Sequence, residues 1–304
     1  MICDDFSFNG KNLSDFYCST FDSDTEQTFS SRESIHSDLT AARSRPSYYG
    51  VKYSGDLELN FLICKNIEKF SELSERHDGS NSKTLSQTEV RSIRAWLEST
   101  TLPSPLVIYN NDNDENENIY YFGFFKDVQP WFMCADCIGL KLTFECDSPS
   151  GYSDIEAISS DIADTETQGS LVIENSSDEQ NTYVYPIINI YIDNSKSEKG
   201  TITIKNTSDN NNSLKLSIID DTVMTIDCEK NIISNSSNEI ISISDLGLDL
   251  DSSFDYSGVA TYICNIYWPR LVYGSNTIEV SMDNAGVVTK VKILARFVRK
   301  VDGI

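Results

Sequence analysis

One stretch of this 304-residue chain joins a helix start signal to an apolar face at helical spacing, and everything around it reads as strands. Ser86-Gln87-Thr88-Glu89 is a capping box, in which the serine hydroxyl accepts from the Glu89 amide while Glu89 reaches back to the amide of Ser86. Val90, Ile93, Trp96 and Leu97 then share one face at helical spacing, with Arg91, Arg94 and Glu98 facing out. Thr100, Thr101, Pro103 and Pro105 end the helix, because proline lacks an amide proton and pushes its predecessor out of helical geometry. The remaining ordered segments read as strands, so the chain is expected to be mainly β.

Around the helix the pattern is antiparallel. Asp5-Phe6-Ser7-Phe8 alternates and leads into the hairpin signal Asn9-Gly10, with Leu13 to Cys18 as the returning strand. Residues 19–45 are Ser, Asp, Thr and Arg rich and read as a long loop or arm. Val51 to Ile63 reads as one half-buried strand, and Ser71 to Lys83 as a polar connection. Leu106 to Tyr109 and Ile119 to Phe125 form a hairpin whose tip, Asn110 to Asn118, is too polar to bury. Ile138 to Cys146 alternates Ile138, Leu140, Leu142 and Phe144 inward, and stops at Asp147-Ser148-Pro149.

Beyond Pro149 helix signals vanish. Residues 150–168 form an acidic linker with a short strand near Ile155 to Ile158. Strands are then expected at Ser170–Glu174, Tyr183–Ile192, Thr201–Asn206, Leu214–Ile219, Val223–Asp227, Glu239–Ile243, Tyr262–Trp268, Asn276–Met282 and Val287–Phe297. Short strands with turn signals every ~8 to 12 residues indicate a β-sandwich. The length suits two domains of about 150 residues each, placed at 1–149 and 169–304.

The charge narrows the function. A formal net charge of -23, from 47 acidic and 24 basic residues, argues against nucleic-acid binding, which needs clustered Lys and Arg. One basic run, Lys290, Lys292, Arg296, Arg299 and Lys300, reads as the outward face of a final strand or a contact for an acidic partner. The N-terminal residues resemble no signal peptide, and no stretch approaches the ~18 apolar residues of a membrane helix, so synthesis in a cytoplasm without membrane insertion is expected.

Chemical constellations are weak. The eight cysteines are scattered and expected to be free thiols. Cys134-Ala135-Asp136-Cys137 has metal or redox spacing, but with no second pair and both histidines, His36 and His77, in polar segments, a turn entering the next strand is the better reading. Asp112 to Glu117 begins like a calcium loop yet lacks the sixth-place glycine and the closing glutamate. No nucleophile elbow is present, and 47 acids give no means of choosing a glycosidase pair. No enzyme activity, cofactor or metal is expected. Tyr267 and Trp268 are the best aromatic candidates for stacking on a sugar, against a place for Trp268 in the core.

The order of segments resembles the distal tail proteins of long-tailed bacteriophages over nearly the full length. Phe6-Ser7-Phe8-Asn9-Gly10-Lys11 with Ser14-Asp15-Phe16 resembles the opening of that family. Ile93-Arg94-Ala95-Trp96-Leu97 before Pro105-Leu106-Val107-Ile108, then Ile119 to Gly123, and the close at Leu142 to Pro149 follow in family order. Tyr185-Pro186-Ile187-Ile188 and Trp268 to Ile278 look like its second domain. The long polar segment from Phe21 to Ser44 departs from the pattern.

The resemblance implies an N-terminal β-sandwich with one α-helix and a long β-hairpin, followed by a galectin-like, jelly-roll sandwich. It implies a virion protein at the tail tip or baseplate whose six copies close a ring, joining the tail tube protein to the tail-tip, lysin-bearing protein and letting DNA pass. Receptor-binding or baseplate proteins are further implied partners. Ring contacts are expected at the two first-domain hairpins, through Phe6, Phe8, Asn9, Tyr109, Tyr121 and Phe125. A carbohydrate-binding adhesin of the tail is the alternative, and a cell-wall hydrolase of the tip a third.

Overall fold

The structure is a computed structural model that describes residues 5–20, 31–36, 48–55, 57–69, 83–109, 118–196, 199–241 and 267–300. The chain divides into two compact units, Met1–Ser153 together with Arg299–Ile304, and Asp154–Val298. It is mainly β, with one α-helix among the described residues.

The first unit contains β1 (Asp5–Phe8), β2 (Lys11–Asn12), β3 (Cys18–Thr20), β4 (Ser31–His36), β5 (Tyr48–Ser54) and β6 (Glu58–Lys65). After α1 (Gln87–Leu97) come β7 (Ser104–Tyr109), β8 (Tyr120–Met133), β9 (Asp136–Cys146) and β10 (Gly151–Tyr152). The main sheet runs β2-β1-β7-β8-β9-β6-β3 with antiparallel neighbours. From β1 to β6 is four strand spacings, about 19 Å in a flat sheet. The rings of Phe6 on β1 and Phe61 on β6 nevertheless lie 5.2 Å apart, so the sheet curls until its ends face each other. A bulge between Phe125 and Asp127 in β8 helps it bend. Gly139 sits where β6 and β9 approach so closely that a Cβ would strike the Ile63 carbonyl.

The second unit contains β11 (Glu156–Asp161), β12 (Gln168–Asn175), β13 (Ile187–Ile192), β14 (Thr201–Asn206), β15 (Asn212–Ser217), β16 (Val223–Asp227), β17 (Ile232–Ser234), β18 (Gly274–Met282) and β19 (Val288–Ala295). A last short strand, β20, is Val298–Arg299. Two antiparallel sheets, β11-β19-β13-β16-β17 and β12-β18-β14-β15, enclose one core. Alternation makes that core: Ile188 and Ile190 of β13 meet Ile202 and Ile204 of β14 and Ile278 and Val280 of β18 among the buried residues.

Several expectations need correction. The strand expected from Leu13 to Cys18 is a 3-10 turn, Leu13–Phe16, because the Asp15 carboxylate accepts from the Asn12 amide at 3.0 Å and Tyr17 then takes a left-handed φ of 56°. The chain thereby crosses from the β2 edge to the β3 edge. Val51 to Ile63 is two strands, since Gly55 turns with φ 79° and frees β5 from β6. Within the presumed loop, Ser31–His36 pairs with β5 as a separate two-stranded sheet. β8 runs on through Met133, past Phe125. The short strand β17 was not foreseen. The acidic tip Asp112 to Glu117, His77 and most of the Tyr262–Trp268 segment lie outside the described residues.

Candidate functional site

Helix α1 packs Ile93, Trp96 and Leu97 into the core of the first unit. The Glu89 amide donates to Ser86 Oγ at 3.3 Å and the Ser86 amide to Glu89 Oε2 at 2.8 Å, closing the capping box. The other carboxylate oxygen accepts from Lys65 Nζ at 2.6 Å, and only 4% of that lysine side chain is exposed. Burial pushes the Glu89 carboxyl up, but the hydrogen bonds from Lys65 and Ser86 prevail and hold it below its ordinary value. On the inward face Trp96 stacks on Phe16 with ring centroids 4.6 Å apart and donates through Nε1 to the Phe8 carbonyl at 3.0 Å.

This packing decides what the two hairpins present. Phe6, Phe8, Tyr121 and Phe125, four of the six residues expected at a ring contact, have their side chains in the subunit's own core. Phe125 makes edge contacts with Phe8 and Phe144, each at 5.1 Å. These four brace the hairpins from inside. The other two are exposed: Asn9 in the β1–β2 turn, with φ 48° followed by Gly10 at 76°, and Tyr109 at the end of β7, whose hydroxyl is 3.2 Å from Ser7 Oγ. Phe124 also faces outward from β8.

At the far end of β8 and β9, Cys134 and Ala135 form a two-residue turn with φ 49° and 73°. The Cys-x-x-Cys spacing is therefore a hairpin turn, with both cysteines free. Burial pushes the Cys18 and Cys146 thiols up to about 12, which leaves them inert. Phe132 and Met133 are exposed beside this turn, and Phe132 and Pro130 border a groove of about 620 Å³ against Val90, Arg91 and Arg94 of α1. Among the described residues no group of three His, Cys, Asp or Glu side chains is placed to hold a metal.

In the second unit the two residues expected to meet sugar are engaged internally. Tyr267 is half-buried and its hydroxyl donates to Asp209 Oδ2 at 2.9 Å, where Arg270 Nε also binds at 2.8 Å. Trp268 packs against the core. Arg270 lies 3.7 Å from the centroid of the Tyr183 ring, covering an aromatic face that would otherwise be open. Of the basic run, Lys290 and Lys292 lie on β19 opposite Asp161 and Ser159 of β11, with Lys290 Nζ 3.8 Å from Asp161.

Comparison with known proteins follows this division. Residues 1–148 match a family described as phage tail protein N-terminal domain, and residues 150–248 match its counterpart, phage tail C-terminal domain. No curated protein matches the sequence. Among solved structures, the Dit (gp 19.1) protein of phage SPP1, described as a paradigm of hub adsorption apparatus in phages infecting Gram-positive hosts, is similar in fold. Its TM-score is 0.57 at 12% identity, covering 98% of this chain and 100% of that one. A chain of the phage P2 baseplate in its activated conformation with calcium gives a TM-score of 0.50 at 9% identity, with 100% of both chains covered. With the N-terminal model matched over residues 1–148 and its C-terminal counterpart over 150–248, together most of the sequence, the chain belongs to this family of phage tail proteins.

Proposed function

We propose that this chain is the distal hub of a phage tail: six copies close into a ring through the first unit, join the tail tube to the tail tip or baseplate, and leave a passage for DNA. The observation that carries the reading is the fold match with the SPP1 hub protein across 98% of the chain, joined to the family matches on both halves. The work is architectural, with no reaction assigned to it. Ring closure needs a head-to-tail contact between different faces of neighbouring copies. In the first unit, Asn9 beside Pro105 and Tyr109 opposite Asp5 supply exposed groups at opposite ends of the β1–β7 pair, while Phe6, Phe8, Tyr121 and Phe125 pack beneath those strands. A net charge of -23 suits a wall along which DNA slides, because like charge prevents the duplex from sticking.

Native mass measurement on the purified full chain tests this. Six copies per particle at tens of micromolar are expected. A chain that stays monomeric at that concentration contradicts the ring.

A further inference from the structure

The five-stranded sheet of the second unit turns Ile188, Ile190, Met224, Ile226, Val291 and Ile293 into the core. Their neighbours along each strand therefore form its outer face. The register sets those neighbours in rows across the strands. The middle row is polar from edge to edge: Ser159 of β11, Lys292 of β19, Asn189 of β13, Thr225 of β16 and Ser234 of β17 stand opposite one another in turn. The row on one side carries Leu294, Ile187 and Ile232, and the row on the other carries Tyr191 and Val223. Ile187 is exposed there. Each row lies two residues from the next, about 6.6 to 6.8 Å along an extended chain.

Charge is unbalanced at one point of this face. Asp227 is held by Lys230, whose Nζ lies 2.9 Å from Oδ2, and Lys290 lies 3.8 Å from Asp161. Lys292 has no carboxylate at ion-pair distance among the described residues. Directly opposite it, Asn189 Oδ1 is buried and accepts no hydrogen bond. Buried polar atoms are paired almost everywhere, so an exception asks for a cause. Only the oxygen is enclosed in this way, which leaves the amide nitrogen as the end of Asn189 turned toward a partner. The ammonium of Lys292 brings three donors and no acceptor, the Asn189 amide nitrogen two more, and the Thr225 hydroxyl another. Facing residues on adjacent strands have Cβ atoms about 5 Å apart, so one ligand group reaches all three.

We infer that this face docks an extended segment of a different protein, one whose carboxylate is flanked two residues away on either side by an apolar side chain. Laid along β13 and β19, such a segment repeats the spacing of the sheet beneath it. Its Asp or Glu meets Lys292 and Asn189, one apolar side chain rests on Ile187 and Leu294, and the other rests on Tyr191 and Val223. A row of donors with an unpaired cation selects an anion, and apolar rows on both sides select against a uniformly charged polymer. The choice of a different protein over a second copy rests on the ring proposed above, which closes through the first unit and does not call on this face.

The test is a fluorescence-anisotropy titration of the full chain with a labelled peptide, Thr-Leu-Thr-Glu-Thr-Val-Thr. Saturable binding is expected, and glutamine in place of the peptide's glutamate should weaken it at least about tenfold, as should Lys292→Glu. Asn189→Val removes the amide and its unpaired oxygen together, so it should weaken the peptide without lowering the thermal transition of the second unit. Lys292→Glu should also leave that transition in place, since its side chain is not in the core. No saturable binding, or binding indifferent to the glutamate or to Lys292, overturns the proposal. Polygalacturonate bound where the peptide is not, and released by Lys292→Glu, would give the face to an acidic glycan. A lower native mass for Lys292→Glu than for the unaltered chain would give it to another copy, and either result also overturns the proposal. An unaltered chain that stays monomeric yet binds the peptide as described would remove the ring and keep the docking site.

Discussion

Trp96→Ala should cost the first unit about 4 kcal/mol, the range expected for emptying a large aromatic site in a packed core. Trp96 is 5% exposed, lies between Phe16 at 4.6 Å and Phe6 at 5.9 Å, and links α1 to β1 through its bond to the Phe8 carbonyl. Truncation removes ring contacts, leaves a void beside Phe6 and Phe16, and takes a donor from a carbonyl that it reaches in the core. The helix itself is only 11 residues, too short to persist in water without its apolar face packed. Calorimetry of the full chain should show the transition of the first unit falling by about 10 °C. The transition of the second unit should stay in place, because its core contains no residue of α1. A loss below about 1 kcal/mol would mean that the helix is peripheral.

Glu89→Ala should cost about 3 kcal/mol at neutral pH, from two sources. Removing the carboxylate strands the ammonium of Lys65, which is nearly fully buried, and breaking one side of such a pair is expensive. It also opens the capping box, worth about 1 kcal/mol by itself. Because part of Glu89 remains in solvent, the low end of the buried-pair range applies. The pH dependence has a definite sign. The folded Glu89 carboxyl titrates below its ordinary value, so its contribution is fully present above about pH 5 and fades as pH falls through the folded value. In urea titrations the gap between the unaltered protein and Glu89→Ala should be widest near pH 7 and narrow toward pH 3. Pairing the change with Lys65→Met should recover part of the loss, since no unpaired charge then remains inside. A gap independent of pH would assign the whole effect to packing.

The parts of this fold that were legible in the sequence are those fixed by neighbours along the chain. The capping box at Ser86 to Glu89, the turn at Asn9-Gly10 and the alternating strands Thr201–Asn206 and Val223–Asp227 lie where local pattern puts them. The errors arise where distant segments decide. Alternation showed that Phe6, Phe8, Tyr121 and Phe125 share faces of strands, but not that the sheet curls to bring Phe6 onto Phe61 and enclose them. A period-two run carried Val51 and Tyr53 into the same strand as Leu57 to Ile63, because nothing in the pattern revealed that Gly55 adopts a positive φ and separates them. The same step hid the separate two-stranded sheet that β5 forms with β4. Tyr267 was singled out as an aromatic near a strand end. Its hydroxyl proves to be held by Asp209, which lies 58 residues away.

The account turns on where the protein sits. Cryo-electron microscopy of tailed particles containing this chain, with the first unit fitted into the density, tests that most directly. A ring of six copies around the tail axis, between the tube and the tip, is the result predicted. Density for the chain away from that axis, or its absence from the particle, would contradict the hub assignment outright.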